Sequence, residues 1–460
     1  VLEKKIDEWI ETRKQEIIEA IQGAVRIPSV LDEPAPGAPF GAEIGRALTY
    51  FMELGRRMGF TATDFDGYAG AIEWGEGEPR LGILVHTDVV PAGDDWSYAP
   101  FGGEVRDGRV YGRGTIDDKG PAVAVLYAMA ALKHAGFSPK GTVQLIVGTD
   151  EETEHRGLDY YLEKRPAPMF GFSPDGEFPV IHGEKGIIHL DMVETDPAVD
   201  DLIASVEGGH RPNMVPEACT CRFTRLLTME ESDRLGQAAR GMMEENAWVL
   251  DGDTLTVHGV AAHGSMPEKG VNAIGRLLTL LSASGMLPEA GLIPMLARRV
   301  GLSHDGKGMD LGLWDEVTGP LTLNLGEIHI GENGSRAVLD VRYPATCSGE
   351  DVLATLEEKA NEAGAVVKVR KHHPPLYMEK DSEIVQALLS VYREVTGDMK
   401  EPFTIGGGTY AREIPNAVAF GPLFPGRPDV MHQKDEYVLI DDLTQITRIY
   451  ARAIQKLMSG

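Results

Sequence analysis

The chain has 460 residues, 42% of them hydrophobic and 25% charged, enough to bury the cores of two or three domains. Its formal charge is −27, from 44 basic and 71 acidic residues, which argues against nucleic acid or an anionic membrane surface as a partner. No apolar run reaches membrane-spanning length, and three cysteines (Cys219, Cys221, Cys347) make no disulfide framework, so a cytoplasmic location is expected.

In chain order, the first expected element is an amphipathic helix over residues 3–22. Ile6, Ile10, Ile17 and Ile21 recur there at near-helical spacing, and the pattern is not that of a signal peptide. A helix over about 43–58 follows, then strands near 70–74 and 81–87. Gly120 to Ala135 reads as a buried helix with Pro121 in its first turn. Thr142 to Gly148 is another apolar strand. This alternation predicts an α/β fold, a mostly parallel sheet with helices on both faces.

Near Ile181-His182-Gly183-Glu184-Lys185-Gly186 the pattern changes to alternating strands such as Ile187 to Val193. An α+β domain over 183–373 is therefore expected, inserted into a discontinuous domain formed by 1–182 and 374–460. An insert of about 190 residues suits a domain of its own. His372-His373-Pro374-Pro375 reads as the return linker, and a helix over 441–458 closes the chain. Within the insert, Gly209-His210-Arg211-Pro212-Asn213 leads into a strand ending Cys221-Arg222. Gly331-Glu332-Asn333-Gly334-Ser335-Arg336 leads into one ending Asp340-Val341-Arg342. The echo predicts two related subdomains.

Five stations carry candidate chemistry. His86 and Asp88 end the apolar run Leu81 to Val85, at the strand end where open α/β sheets build their sites. A metal-bound imidazole usually donates its second N–H to a carboxylate, and Asp88 is placed to receive it. Gly112-Arg113-Gly114-Thr115-Ile116-Asp117-Asp118-Lys119-Gly120 puts two acids in a tight turn before a helix. Asp150-Glu151-Glu152 follows a fully apolar strand. Ser173-Pro174-Asp175-Gly176 reads alone as a turn, and His432 in Met431-His432-Gln433-Lys434-Asp435-Glu436 alone is unremarkable. Together His86, Asp117, Glu152, Asp175 and His432 offer two imidazoles and three carboxylates, a ligand set for a pair of divalent ions bridged by one carboxylate. Glu151, left uncoordinated, is then placed to be the general base.

The ordered motifs HTD, GRGTIDDKG, TDEE, SPDGEFPV and MHQKDE resemble those of the dinuclear metallopeptidases that include aminoacylase, succinyl-diaminopimelate desuccinylase, carnosinase and the bacterial dipeptidase PepV. WSYAPFGGEVRDGRVYGRGTIDDKGP and VIHGEKG look most like the PepV-like branch. The resemblance covers nearly the whole chain. It implies that Asp117, not Asp118, bridges two ions and is followed by a cis peptide. It implies that His86 and Asp175 complete one ion's site and Glu152 and His432 the other's, with zinc as the default metal and manganese or cobalt compatible. Glu151 becomes the base and Asp88 the residue orienting His86. The insert becomes a lid, longer than in dimeric relatives, which implies a monomer. Asn213 and His263 would then hold the oxyanion, Arg342 would bind the substrate's free carboxylate, and Gly406, Gly407 and Arg412 would line the pocket. Without the resemblance, His263 reads as a surface-loop residue and Arg342 as a structural ion-pair partner. The implied activity is hydrolysis of unblocked dipeptides. The alternatives are an N-acyl amino acid deacylase with the same centre and a non-catalytic metal-binding member.

Overall fold

The structure is a computed structural model that describes residues 2–195, 201–332 and 334–459. The chain divides into two compact units. One comprises Val1–His182, Tyr377–Thr404 and Thr409–Gly460, and the other Gly183–Leu376 and Ile405–Gly408.

The first unit is built on a mixed sheet. Its centre runs Thr142–Gly148, Pro79–His86, Phe170–Ser173, Ala417–Ala419, and these four strands are parallel. Ala69–Trp74 and then Thr61–Phe65 extend one side antiparallel. Ile181–Glu184 joins the other side antiparallel. Strand Thr142–Gly148 is buried along its whole length, as expected of a central strand covered on both faces.

Alternate residues of these strands face opposite ways. Leu81, Ile83, Val85, Val143, Leu145 and Val147 share one core with the helices Lys119–Ala135, Ala42–Arg57 and Ile440–Met458. Gly82 and Gly148 point to the other face, against Ile414 and Tyr410. The helix Arg156–Lys164 lies against the strand Ala69–Trp74. Helix Lys119–Ala135 is buried over nearly all its surface, which explains its continuous apolar sequence.

The expected helix over 3–22 is two helices, Leu2–Thr12 and Lys14–Val25. They meet at a one-residue turn in which the Arg13 amide donates to the Ile10 carbonyl. The isoleucine spacing continues through the break, so periodicity alone could not reveal it. Arg13 stacks on Trp9 and pairs with Glu16 at 3.2 Å, local contacts that hold the turn.

The second unit is an eight-stranded sheet in which each neighbouring pair is antiparallel. Its order is Trp248–Asp251, Thr254–His258, Ala218–Phe223, Ile203–Gly208, Thr322–Gly331, Gly334–Tyr343, Gly186–Glu194, Ala365–His373. The order reads alike from both ends. A hairpin, a helix (Met229–Met242) and a strand in the first half match a hairpin, a helix (Gly349–Glu362) and a strand in the second. The echo therefore marks two halves of one sheet with one shared core rather than two separate subdomains. Pairing of Ile203–Gly208 with Thr322–Gly331 joins them, because each half would otherwise expose an unpaired edge. Asn333, in the second echo, lies outside the described residues. The expected linker at His372-His373 is strand, since both residues pair with Ile187 and Ile188. Cys219 and Cys221 point together into this unit's core, as their two-residue spacing predicts.

Candidate functional site

Three of the four parallel strands lead at their carboxyl ends into acidic or imidazole groups, in the first unit. Pro79–His86 ends on His86, Thr142–Gly148 leads into Asp150-Glu151-Glu152, and Phe170–Ser173 leads into Asp175. Asp117 comes from the turn before helix Lys119–Ala135. A β-carbon at Gly120 would collide with the Thr115 carbonyl, so this turn closes only around a glycine. The Asp117–Asp118 peptide is cis. His432 comes from the loop after Pro422–Leu423 and has φ of 59°, a conformation uncommon outside glycine and enriched for His, Asn and Asp.

These five side chains meet. Asp117 Oδ1 lies 3.0 Å from His86 Nε2, and Oδ2 lies 2.9 Å from His432 Nε2. His432 Nε2 is 3.1 Å from Glu152 Oε1, and His86 Nε2 is 3.8 Å from Asp175 Oδ2. His86, Asp117 and Glu152 form one group of donors within 4.8 Å of one another, and His86, Glu151 and Asp175 form a second. The residues fit a pair of small divalent ions. Donor separations from 2.9 to 3.8 Å bracket the roughly 3.4 Å edge of a tetrahedron with bonds of about 2.1 Å.

Electrostatics point the same way. Burial, then the charges of Asp117 and Glu151, raise Asp175 well above the usual carboxylate range. Burial and the Asp117 charge raise Glu152 to about 7. Burial works against the His86 imidazolium, but hydrogen bonds to Asp117 and Asp88 outweigh it and hold its pKa well above the usual value. So many acids crowded at low dielectric favour any added positive charge, and a divalent cation supplies it most compactly.

The Asp88 geometry differs in detail from expectation. His86 Nδ1 lies 3.0 Å from the Asp88 backbone carbonyl and 3.5 Å from its carboxylate. The carboxylate accepts instead from the Glu152 amide at 3.0 Å. One residue thus holds the imidazole through its main chain and the acidic loop through its side chain. Glu151 sits 3.5 Å from His155 Nε2, and His155 Nδ1 lies 2.9 Å from Glu413. Burial opposes ionisation of Glu151, yet the contact with His155 and the charge of His86 lower its pKa to about 2. Its neighbour Tyr410 is buried and edge-on to both His86 and His155.

The parts played by His155, Glu413 and Tyr410 do not show in the sequence. The four-residue spacing of Glu151 and His155 is the only local hint. Arg113 and Glu436 fall within the recognised motifs without a role of their own there; they form a buried pair at 2.6 Å. Arg412 lies in the turn Tyr410–Glu413, in the same unit.

The second unit gathers Asn213, His263, Arg342 and Gly406. The Asn213 carbonyl accepts from the Gly264 amide at 2.7 Å, and Met214 bridges to His263. His263 Nδ1 accepts from the Ser265 amide at 3.2 Å and lies 2.7 Å from its hydroxyl, an arrangement that leaves the ring proton on Nε2. Arg342 donates to both Asp340 oxygens, at 2.6 and 3.0 Å, and Nη1 lies 3.4 Å from the Gly406 carbonyl. A side chain at Gly264 would run into Asp340 and the Asn213 backbone, so glycine lets these segments approach. Gly406 and Gly407 belong to this unit and Arg412 to the first.

An α/β sheet with imidazoles and carboxylates converging at its carboxyl edge defines a candidate metal centre of an α/β protein. The chain belongs to peptidase family M20/M25/M40, whose family model matches residues 82–456. It is 38% identical to a Bacillus subtilis (strain 168) protein named "Putative dipeptidase YtjP", over 97% of this chain and 98% of that one. It is 37% identical to a "Putative dipeptidase" of Staphylococcus epidermidis (strain ATCC 12228 / FDA PCI 1200), over 96% and 97%. Among solved structures, human carnosine dipeptidase 1 shares the fold with a TM-score of 0.61 at 16% identity, over 100% of this chain and 99% of that one. The di-peptidase Dug1p of Saccharomyces cerevisiae does so with a TM-score of 0.60 at 13% identity, over 100% and 99%. No described helix is long and apolar enough to cross a membrane.

Proposed function

We propose that this protein is a metal-dependent dipeptidase acting on unblocked dipeptides. The observation that carries the reading is Asp117, whose two oxygens each face a different imidazole, His86 and His432. His86 and Asp175 would help hold one ion and Glu152 and His432 the other, with Asp117 available to both. The pair of ions, when bound, makes a shared water acidic and polarises the scissile carbonyl; zinc is the first expectation, with manganese or cobalt compatible. The names of the bacterial relatives support the substrate class.

The protein's own residues do the rest. Glu151, ionised at neutral pH, takes a proton from the attacking water. The same proton goes to the leaving nitrogen as the C–N bond breaks, so the base is regenerated. His155 positions the Glu151 carboxylate. In the second unit, the His263 Nε2–H and the Asn213 side chain are the donors for the developing oxyanion. Arg342, pre-oriented by Asp340, would bind the substrate's free carboxylate. We further propose a cytoplasmic monomer without a nucleic-acid or membrane partner, which gel filtration at the mass of one chain would support.

The test is hydrolysis of a small dipeptide panel beside the matching N-acetyl amino acids, on metal-stripped protein with zinc or manganese restored. Metal-dependent cleavage of the dipeptides is expected. Cleavage of the acylated compounds alone would reassign the protein to the deacylases. No cleavage of either would overturn the enzymatic reading.

A further inference from the structure

Arg113 and Glu436 are buried, with 2% and 0% of their side chains exposed, and their hydrogen bonds reach the main chain, not the ligating side chains, of the segments that carry Asp117 and His432. Glu436 Oε2 accepts from Arg113 Nη1 at 2.6 Å. Its other oxygen accepts from the Gly114 amide at 2.9 Å and the Ile116 amide at 3.0 Å. Both amides belong to the turn that presents Asp117. The guanidinium reaches the other way. Nη1 donates to the Gln433 carbonyl at 3.2 Å and Nη2 to the His432 carbonyl at 3.3 Å, while its face lies 5.3 Å from the Trp96 ring. The main chain repeats the link, since the Gly112 amide donates to the Glu436 carbonyl at 2.8 Å. Two loops more than 300 residues apart are thereby joined. No comparable charged pair in the described residues ties the His432 loop to strand Pro79–His86 or to Asp175.

We infer that the Arg113–Glu436 pair is a positioning clamp that sets the distance between Asp117 and His432, and so governs capture of the ion held by His432 and Glu152. The inference rests on the metal-centre reading above. A buried charge pair of this kind costs desolvation that an apolar pair would not. What it supplies is direction. A planar fork can hold one carboxylate and two carbonyls in fixed positions, which a lysine ammonium on a flexible stem cannot. Groups that orient ligands commonly change metal affinity by 10–100-fold.

The experiment is titration of metal-stripped protein with Co2+, read by calorimetry and by the visible d–d bands, for the unaltered chain, Arg113→Lys and Glu436→Gln. Glu436→Gln keeps the shape and an acceptor for the two amides while removing the charge. The unaltered chain is expected to bind two ions. Each variant is expected to bind the first with affinity within about twofold and the second at least tenfold more weakly, with a melting temperature that no longer rises on adding the second equivalent. Two ions bound as tightly as in the unaltered chain would overturn the clamp. So would equal weakening of both ions, or loss of the fold in both variants, either of which makes the pair a general support. Failure of the unaltered chain to bind Co2+ would instead overturn the metal-centre reading itself.

Discussion

Asp340 holds Arg342 by two parallel hydrogen bonds, through Nε at 2.6 Å and Nη2 at 3.0 Å, with both side chains buried. His189 Nε2 lies 3.4 Å from the same carboxylate. The Arg342 fork is therefore largely committed, and in the proposed mechanism a substrate carboxylate would meet mainly the Nη1 side. Asp340→Asn removes the charge and one acceptor, leaving Arg342 loosely aimed. The expected result is a KM for dipeptides raised about tenfold or more, with kcat within about twofold. A kcat loss at unchanged KM would show that Arg342 acts on the reaction rather than on binding.

In the proposed mechanism, proton transfer depends on Glu151. Glu151→Gln preserves shape and removes the base. It is expected to lower kcat by about 10²–10⁴-fold while metal content, measured by elemental analysis, stays at the unaltered level. His155→Gln should act through Glu151 and lower kcat less, with the acidic limb of the pH–rate profile displaced upward, because the contact that lowers the Glu151 pKa is lost.

Metal removal should change how stability depends on pH. The Glu152 carboxyl is raised to about 7 by burial and the Asp117 charge, and Asp175 and His86 are raised as well. Each such group binds protons more tightly folded than unfolded. Stability is then greatest at low pH in this window and falls as pH rises. Metal-stripped protein should lose melting temperature between pH 5 and pH 7 relative to metal-loaded protein, whose ligands are already deprotonated. Parallel melting curves across that window would contradict the assignment.

Gly120→Ala tests the turn that presents Asp117. The added methyl has no room against the Thr115 carbonyl, which is backbone and cannot rotate away. Overpacking of this kind costs about 1–3 kcal/mol. The expected phenotype is weaker metal binding together with that loss of stability, measured by chemical denaturation. Gly136→Ala serves as a control at a site with open space around it, although its φ of 86° adds local backbone strain.

Much of the candidate centre is legible in the order of residues alone. His86 and Glu152 announce themselves because each follows an apolar run that reads as a buried strand, whereas Asp175, in a segment that reads alone as a turn, gains its weight only from the ordered set of motifs. Asp117 sits in a glycine-rich turn whose two adjacent acids need an explanation. The alternation of helix and strand points to the α/β class, and the change of pattern near residue 181 marks where the second unit begins. Periodicity is less able to place ends. It runs through the turn at Arg13, and two prolines draw the expected linker forward over His372 and His373, where cross-strand pairing continues.

By itself, then, the sequence determined the fold class, the metal-type side chains and their order, since each is written in a few consecutive residues: a strand's apolar run, a turn's glycines, the acid or imidazole beside them. Tertiary structure alone decided which groups meet. Glu436 finds Arg113 across 323 positions and Glu413 finds His155 across 258, separations at which no local pattern survives. It also decided that Asp88 holds His86 by its carbonyl, that Asp340 engages Arg342, and that two echoing halves close into one sheet. Those outcomes follow from where backbone and side-chain polar groups must find partners once water is excluded, and only the folded chain specifies that.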